Sequence, residues 1–145
     1  MRRRAPLRAI ACGAMPLWRR KALEYLPHHR LLIEQADSLG AVWVELSVML
    51  RVEEEVDERL LSGIEHFMNW CFTAPRVPAG YCPASIVTVA LLEHLPCHSL
   101  GRDLMRRWFS REEARQMRQT FEYIVGREAF EQILSTLEPR RSRRA

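Results

Sequence analysis

The spacing of apolar residues between positions 57 and 73 restricts the fold of this chain more than any other feature of its sequence. Apolar side chains recur once or twice in every helical turn, at Leu60, Leu61, Ile64, Phe67, Met68, Cys71 and Phe72. They form one continuous stripe on an α-helix of about 3.6 residues per turn, whereas a half-buried strand requires strict alternation. The pattern predicts an amphipathic helix with Asp57 as its N-cap and Pro75 beyond its end.

Helical periodicity extends along the rest of the chain. Further helices are predicted over 16–26, over 28–36, from 39 to the acidic residues 53–55, over 110–126 and over 127–137. Ser110 and Glu113 have the spacing of a capping box, and Ile124 lies on the apolar face of the helix that they open. Gly126 is expected to end that helix in a left-handed conformation. Residues 96–109 are expected to be irregular or to form a short helical turn.

The segment 84–95 is apolar on almost every face. A surface helix would carry a polar face, so we expect this segment to be a central, buried helix. Its apolar residues would also suit a strand, but no second strand is predicted that could satisfy the backbone of the first. The predicted fold is therefore all-α, a single compact bundle of about six helices with a central buried helix at 84–95.

The length of the chain, 145 residues, fits one domain. We expect a single helical domain over 15–139, preceded by a disordered basic segment, 1–14, and followed by a disordered arginine-rich tail, 140–145. The first segment could also lie upstream of the true start, and the sequence does not decide between Met1 and Met15 as that start.

Basic residues are concentrated in these two terminal segments. Eight of the 22 lysines and arginines lie there, and all 18 acidic residues lie between them. The body therefore combines 14 basic with 18 acidic residues, a net charge of −4 that would repel phosphate groups. The charge distribution thus argues against nucleic acid as a partner, and weak, sequence-independent binding through the arginine-rich tails is retained only as an alternative.

The sequence favours a cytoplasmic protein without a membrane span. Its longest apolar run, 86–92, is far shorter than the about 20 residues that cross a bilayer. Near the N-terminus, Arg8 leaves an apolar stretch too short for a secretory signal. The four cysteines form no C-x-x-C pair, so we expect reduced thiols.

Three stretches of the chain carry a family resemblance, namely Met68-Asn69-Trp70-Cys71, Val89-Ala90-Leu91-Leu92-Glu93-His94-Leu95-Pro96 and Trp108-Phe109-Ser110-Arg111-Glu112-Glu113. With them, the chain resembles an uncharacterised bacterial family of small all-helical domains, a domain of unknown function. The resemblance covers most of the body. It implies an all-helical fold and no particular activity.

Histidines and cysteines cluster in the second half of the chain, where His94, Cys97, His98 and Cys82 are the candidate zinc ligands. His94 and Cys97 have a workable local spacing for two ligands of one ion. Free cysteines, however, are often simply small buried apolar residues. We predict neither a metal nor another cofactor, and we keep a zinc-binding domain around His94 and Cys97 as an alternative.

No group of residues in the sequence predicts catalysis. Glu93 and His94 are adjacent, so on a helix their side chains point about 100° apart and cannot share a proton. Cys97 and His98 are also neighbours, an arrangement that rarely gives a base access to a nucleophile. We therefore predict that the chain is not an enzyme.

Several large side chains remain outside the predicted core. His66, Asn69 and Trp70 lie opposite the apolar stripe of the 57–73 helix, and Trp108 is flanked by arginines. Tryptophan among polar and basic residues is typical of interface anchors, although Trp108 could instead fold back onto the core. Our prediction is a helical protein–protein interaction module, with a partner and an oligomeric state that the sequence does not identify.

Overall fold

The computed structural model describes residues 15–52, 56–74 and 82–139. Within these ranges no residue belongs to a strand, and the predicted all-α fold is confirmed. The described α-helices are α1 (Leu17–Tyr25), α2 (Arg30–Gln35), α3 (Leu39–Val52), α4 (Glu58–Thr73), α5 (Pro83–Ala90), α6 (Ser99–Trp108), α7 (Arg111–Gln116), α8 (Arg118–Val125) and α9 (Arg127–Ser135). The predicted disordered segments, 1–14 and 140–145, lie outside the described residues.

Helix α4 follows the prediction made from its apolar stripe. The side chain of Asp57 caps the helix by accepting a hydrogen bond from Arg59 N at 3.0 Å. The stripe is buried as far as Cys71, and Phe67 stacks on Trp43 of α3 with 4.9 Å between ring centroids. Phe72, the last member of the predicted stripe, is instead 40% exposed. Its ring lies on the surface beside α7, where the candidate site described below is formed.

The predicted central helix over 84–95 is divided in two. Helix α5 ends at Ala90, and residues 92–97 form a 3₁₀ helix that contains Pro96. A regular α-helix cannot continue here because the proline ring would clash with the preceding turn. Val89 is 58% exposed, whereas Leu92 and Leu95 are fully buried. The centre of the bundle is therefore the 3₁₀ helix, which packs against α6 and α8.

Residues 99–108, which were expected to be largely irregular, form α6. His98 caps this helix through Nδ1, which accepts a hydrogen bond from Gly101 N at 3.0 Å. Leu104 and Met105 are buried, and the arginines of the helix face outward. The prediction missed this helix although its apolar residues have helical spacing.

The predicted helix over 110–126 is interrupted at Met117, where α7 ends and α8 begins. The capping box at its start is confirmed: Ser110 Oγ accepts from Glu113 N at 3.2 Å, and Glu113 Oε2 accepts from Ser110 N at 2.7 Å. Gly126 has the predicted positive φ of 85°. Ile124, which was predicted to be buried, lies beyond this interruption and is 46% exposed.

Candidate interaction groove

The four residues predicted to form an interaction surface do not lie together. Asn69 and Trp108 line one groove between α4 and the corner that joins α6 to α7. His66 lies outside it, where its ring stacks on Tyr25 of α1 and Nδ1 lies 2.6 Å from the carbonyl oxygen of Ser62. Trp70 is half-buried and stacks on Phe67 with 6.0 Å between centroids. His66 and Trp70 are thus engaged in packing around α4.

The groove, which we call the α4–α7 groove, has a volume of about 300 Å³. Helix α4 contributes one wall with Glu65, Asn69 and Phe72, and the opposite wall includes Trp108, Phe109 and Glu113. Phe72 is a functional candidate that the sequence assigned to the core. Phe72 could have been identified because it is the last residue of the apolar stripe. The end of a helix is often less covered by neighbouring elements than its middle.

Trp108 lines both this groove and a second, adjoining one. The second groove, of about 390 Å³, shares Trp108, Phe109 and Glu113 with the first and extends to Glu138 and Pro139. Together the two make a continuous concave surface that ends where the described chain ends. The half-buried ring of Trp108 packs against the core and also lines both grooves, and its role as an interface anchor stays a prediction.

The indole of Trp108 retains unused hydrogen-bonding capacity. Its Nε1 atom is buried and has no hydrogen-bond partner in the structure. A buried donor without an acceptor costs free energy, and such groups are rare in folded proteins. Phe109 has no polar atom to satisfy, and its ring packs edge-on against Phe121 at 5.5 Å.

The charges around the α4–α7 groove are uneven. Among the described residues, its lining includes the carboxylates of Glu65 and Glu113 and no basic side chain. Arg107, on the neighbouring α6, forms a bidentate ion pair with Glu58 of α4. This hydrogen bonding lowers the pKa of Glu58 and raises the pKa of Arg107. The pair joins α6 to α4 and leaves the groove itself acidic.

The candidate zinc ligands are dispersed. Within the described residues no three histidine, cysteine, aspartate or glutamate side chains form a group that could hold a metal ion. His98 is occupied as the cap of α6, Cys97 is exposed, and Cys82 lines an apolar groove between α3 and α5 together with Val89. Burial lowers the pKa of His98, and the charges of Arg51, Arg102 and His94 lower it further.

The chain matches no family model, and comparison with curated proteins and with solved structures found no match. Membership of the helical family that the sequence resembles therefore stays a prediction, as do a bacterial origin and a cytoplasmic location. None of the helices in the described ranges combines the length and the apolarity needed to cross a bilayer. The alternative of nucleic-acid binding involves the tails, outside the described ranges, and also stays a prediction.

Proposed function

We propose that this chain is a protein–protein interaction domain and that the α4–α7 groove is its binding surface. The observation that carries the proposal is the convergence, on one concave surface, of two aromatic side chains, Phe72 and Trp108, with the carboxylates of Glu65 and Glu113. Large aromatic anchors in concave surroundings supply most of the binding energy in protein interfaces. Asn69 adds an exposed amide at the rim.

The lining of the groove defines the chemistry of the partner. Phe72 and Trp108 suit an apolar or aromatic side chain, and Glu65 and Glu113 suit lysine or arginine close to it. We therefore propose a partner segment that combines an apolar anchor with adjacent basic residues.

Selection of peptides from a random displayed library on the full chain tests this proposal. We expect enriched peptides to combine basic and apolar residues, and Phe72→Ser to weaken their binding at least about tenfold. Val89→Ser is the matched control, because Val89 is also an exposed apolar residue but lies on α5, away from the groove.

A second variant separates binding from folding. Asn69 is exposed on α4, so Asn69→Arg places a bulky cation in the groove without opening the core. It should weaken binding of the same peptides while the thermal unfolding of the chain stays unchanged. The proposal is wrong if peptides selected on the native chain bind Phe72→Ser, Asn69→Arg and Val89→Ser equally well.

A further inference from the structure

The last described residues of the chain are held beside the proposed binding surface. The backbone N–H of Arg111 donates to Glu138 O at 2.8 Å, and its Nη2 donates to Leu137 O at 2.8 Å. Leu137 is buried, so this end of the chain is anchored to the core as well. Glu138 and Pro139 consequently line the groove that shares Trp108 with the α4–α7 groove.

The sequence that follows is Arg140-Arg141-Ser142-Arg143-Arg144-Ala145. Six residues span at most about 20 Å when extended. Because the chain leaves the described fold beside Trp108, this length is sufficient to reach along the adjoining groove between α4 and α7.

The charges of this segment and of the groove are complementary. The segment carries four arginines and no acid, and the described lining of the α4–α7 groove contains Glu65 and Glu113 but no basic side chain. Guanidinium groups pair with carboxylates and also stack on aromatic faces such as that of Trp108. The two arginines at the exit, Arg106 and Arg107, pair with Asp103 and Glu58. The charge of Glu65 also acts on Arg107, and Glu113 Oε2 accepts from Ser110 N, so the tail arginines would add to these contacts.

We propose that residues 140–145 bind the α4–α7 groove of their own chain and compete there with the partner segment. This inference rests on the proposed function, because it assigns the same groove an internal ligand with the basic character expected of the partner. Attachment to the domain keeps the segment at a high local concentration. Ion pairs at an exposed site are individually weak and are screened by salt, so a partner that also supplies an apolar anchor displaces it.

The test compares the full chain with a full-length variant in which Arg140, Arg141, Arg143 and Arg144 are all serine. We expect the NMR signals of the Trp108 indole and the Asn69 side-chain amide to differ between the two proteins. Raising NaCl from about 50 mM to about 500 mM should move these signals of the native chain towards those of the variant. The amide signal of Val89, which lies on α5 outside both grooves, should stay unchanged.

Charge-matched variants identify the site of binding. Glu65→Gln combined with Glu113→Gln removes both groove carboxylates, and glutamine at 113 can keep the capping box. Glu24→Gln combined with Glu34→Gln removes two exposed carboxylates of α1 and α2 instead. Only the first pair should abolish the salt-dependent movement of the Trp108 and Asn69 signals.

The same proteins measure the competition. If the segment occupies the groove about two-thirds of the time, its arginine-to-serine variant binds a selected peptide about threefold more tightly. Identical Trp108 and Asn69 signals in the native chain and that variant would overturn the inference, and so would equal responses of the two charge-matched pairs. Peptide binding that depends on Phe72 would survive that result, so failure of the tail contact and failure of the proposed function are distinguishable.

Discussion

Replacement of Gly63 by alanine tests the packing of α1 against α4 most directly. A Cβ atom at this position would lie 2.5 Å from the carbonyl oxygen of Tyr25 and 2.7 Å from Leu26 Cδ2, whereas real Cβ atoms keep more than 3.0 Å from such neighbours. The end of α1 would have to retreat by at least about half an ångström. Leu26 and Ala22, which are buried against α4, would retreat with it.

Two effects of opposite sign determine the magnitude. Alanine is the better helix former and gains about 1 kcal/mol over glycine inside a helix. Overpacking against a backbone atom costs about 3 kcal/mol, the upper part of the usual range, because a carbonyl cannot rotate away as a side chain can. We expect Gly63→Ala to lower the free energy of unfolding by about 2 kcal/mol, which corresponds to a fall in Tm of about 4–8 °C.

Urea and thermal unfolding followed by circular dichroism measure this change. Gly40→Ala is the matched control, because a Cβ atom there would meet Ser38 Oγ at 3.7 Å and Ile86 Cγ2 at 3.8 Å, which are ordinary contacts. The control should be neutral or up to about 1 kcal/mol more stable. Equal stability of Gly63→Ala and the native chain would refute the close approach of the two helices.

Two further predictions concern titratable side chains. Because burial lowers the folded pKa of His98 below its ordinary 6.5, its stabilising contribution is present above about pH 6.5 and is lost as pH falls towards the folded value. His98→Asn retains a capping acceptor but has no imidazole to protonate. Urea unfolding should therefore show that the free energy of unfolding falls less for this variant than for the native chain between about pH 7.5 and pH 5. Burial raises the pKa of Cys71 to about 12, so mass mapping after iodoacetamide treatment should find the exposed Cys97 modified and Cys71 modified only in denaturant.

The sequence predicted those elements in which local pattern and tertiary environment agree. The stripe of α4 is buried along most of its length because α1 and α5 cover that face and Trp43 of α3 stacks on Phe67. The capping box of Ser110 and Glu113 was equally predictable, since both hydrogen bonds are local to one helical turn. Helical periodicity also predicted the fold class, because it left no strand that could pair with another.

Predictions failed where distant contacts decide the structure. An apolar composition suggested a buried helix over 84–95, but Val89 is exposed because nothing in the described structure covers that side of α5. Helix α6 carries four charged residues among ten, which obscured its apolar face. The predicted interaction surface stays a prediction. Periodicity on α4 places His66, Asn69 and Trp70 near one another, but it does not show which of them the α6–α7 corner approaches.

The corner between α6 and α7, which carries Trp108, is held by several contacts, most of them outside the groove. Arg107 holds the end of α6 to Glu58, the capping box sets the start of α7, and Arg111 binds the carbonyl groups of Leu137 and Glu138. The opposite wall, α4, is anchored through its buried stripe. Both walls are therefore formed without a ligand. A ligand would need to order little of the backbone, and the entropy cost of such ordering, which lowers binding affinity, would be small. Under the proposed function, this arrangement would favour recognition by a preformed groove, with Phe72 and Trp108 as the proposed anchors and an acidic rim that would select a basic segment over an acidic one.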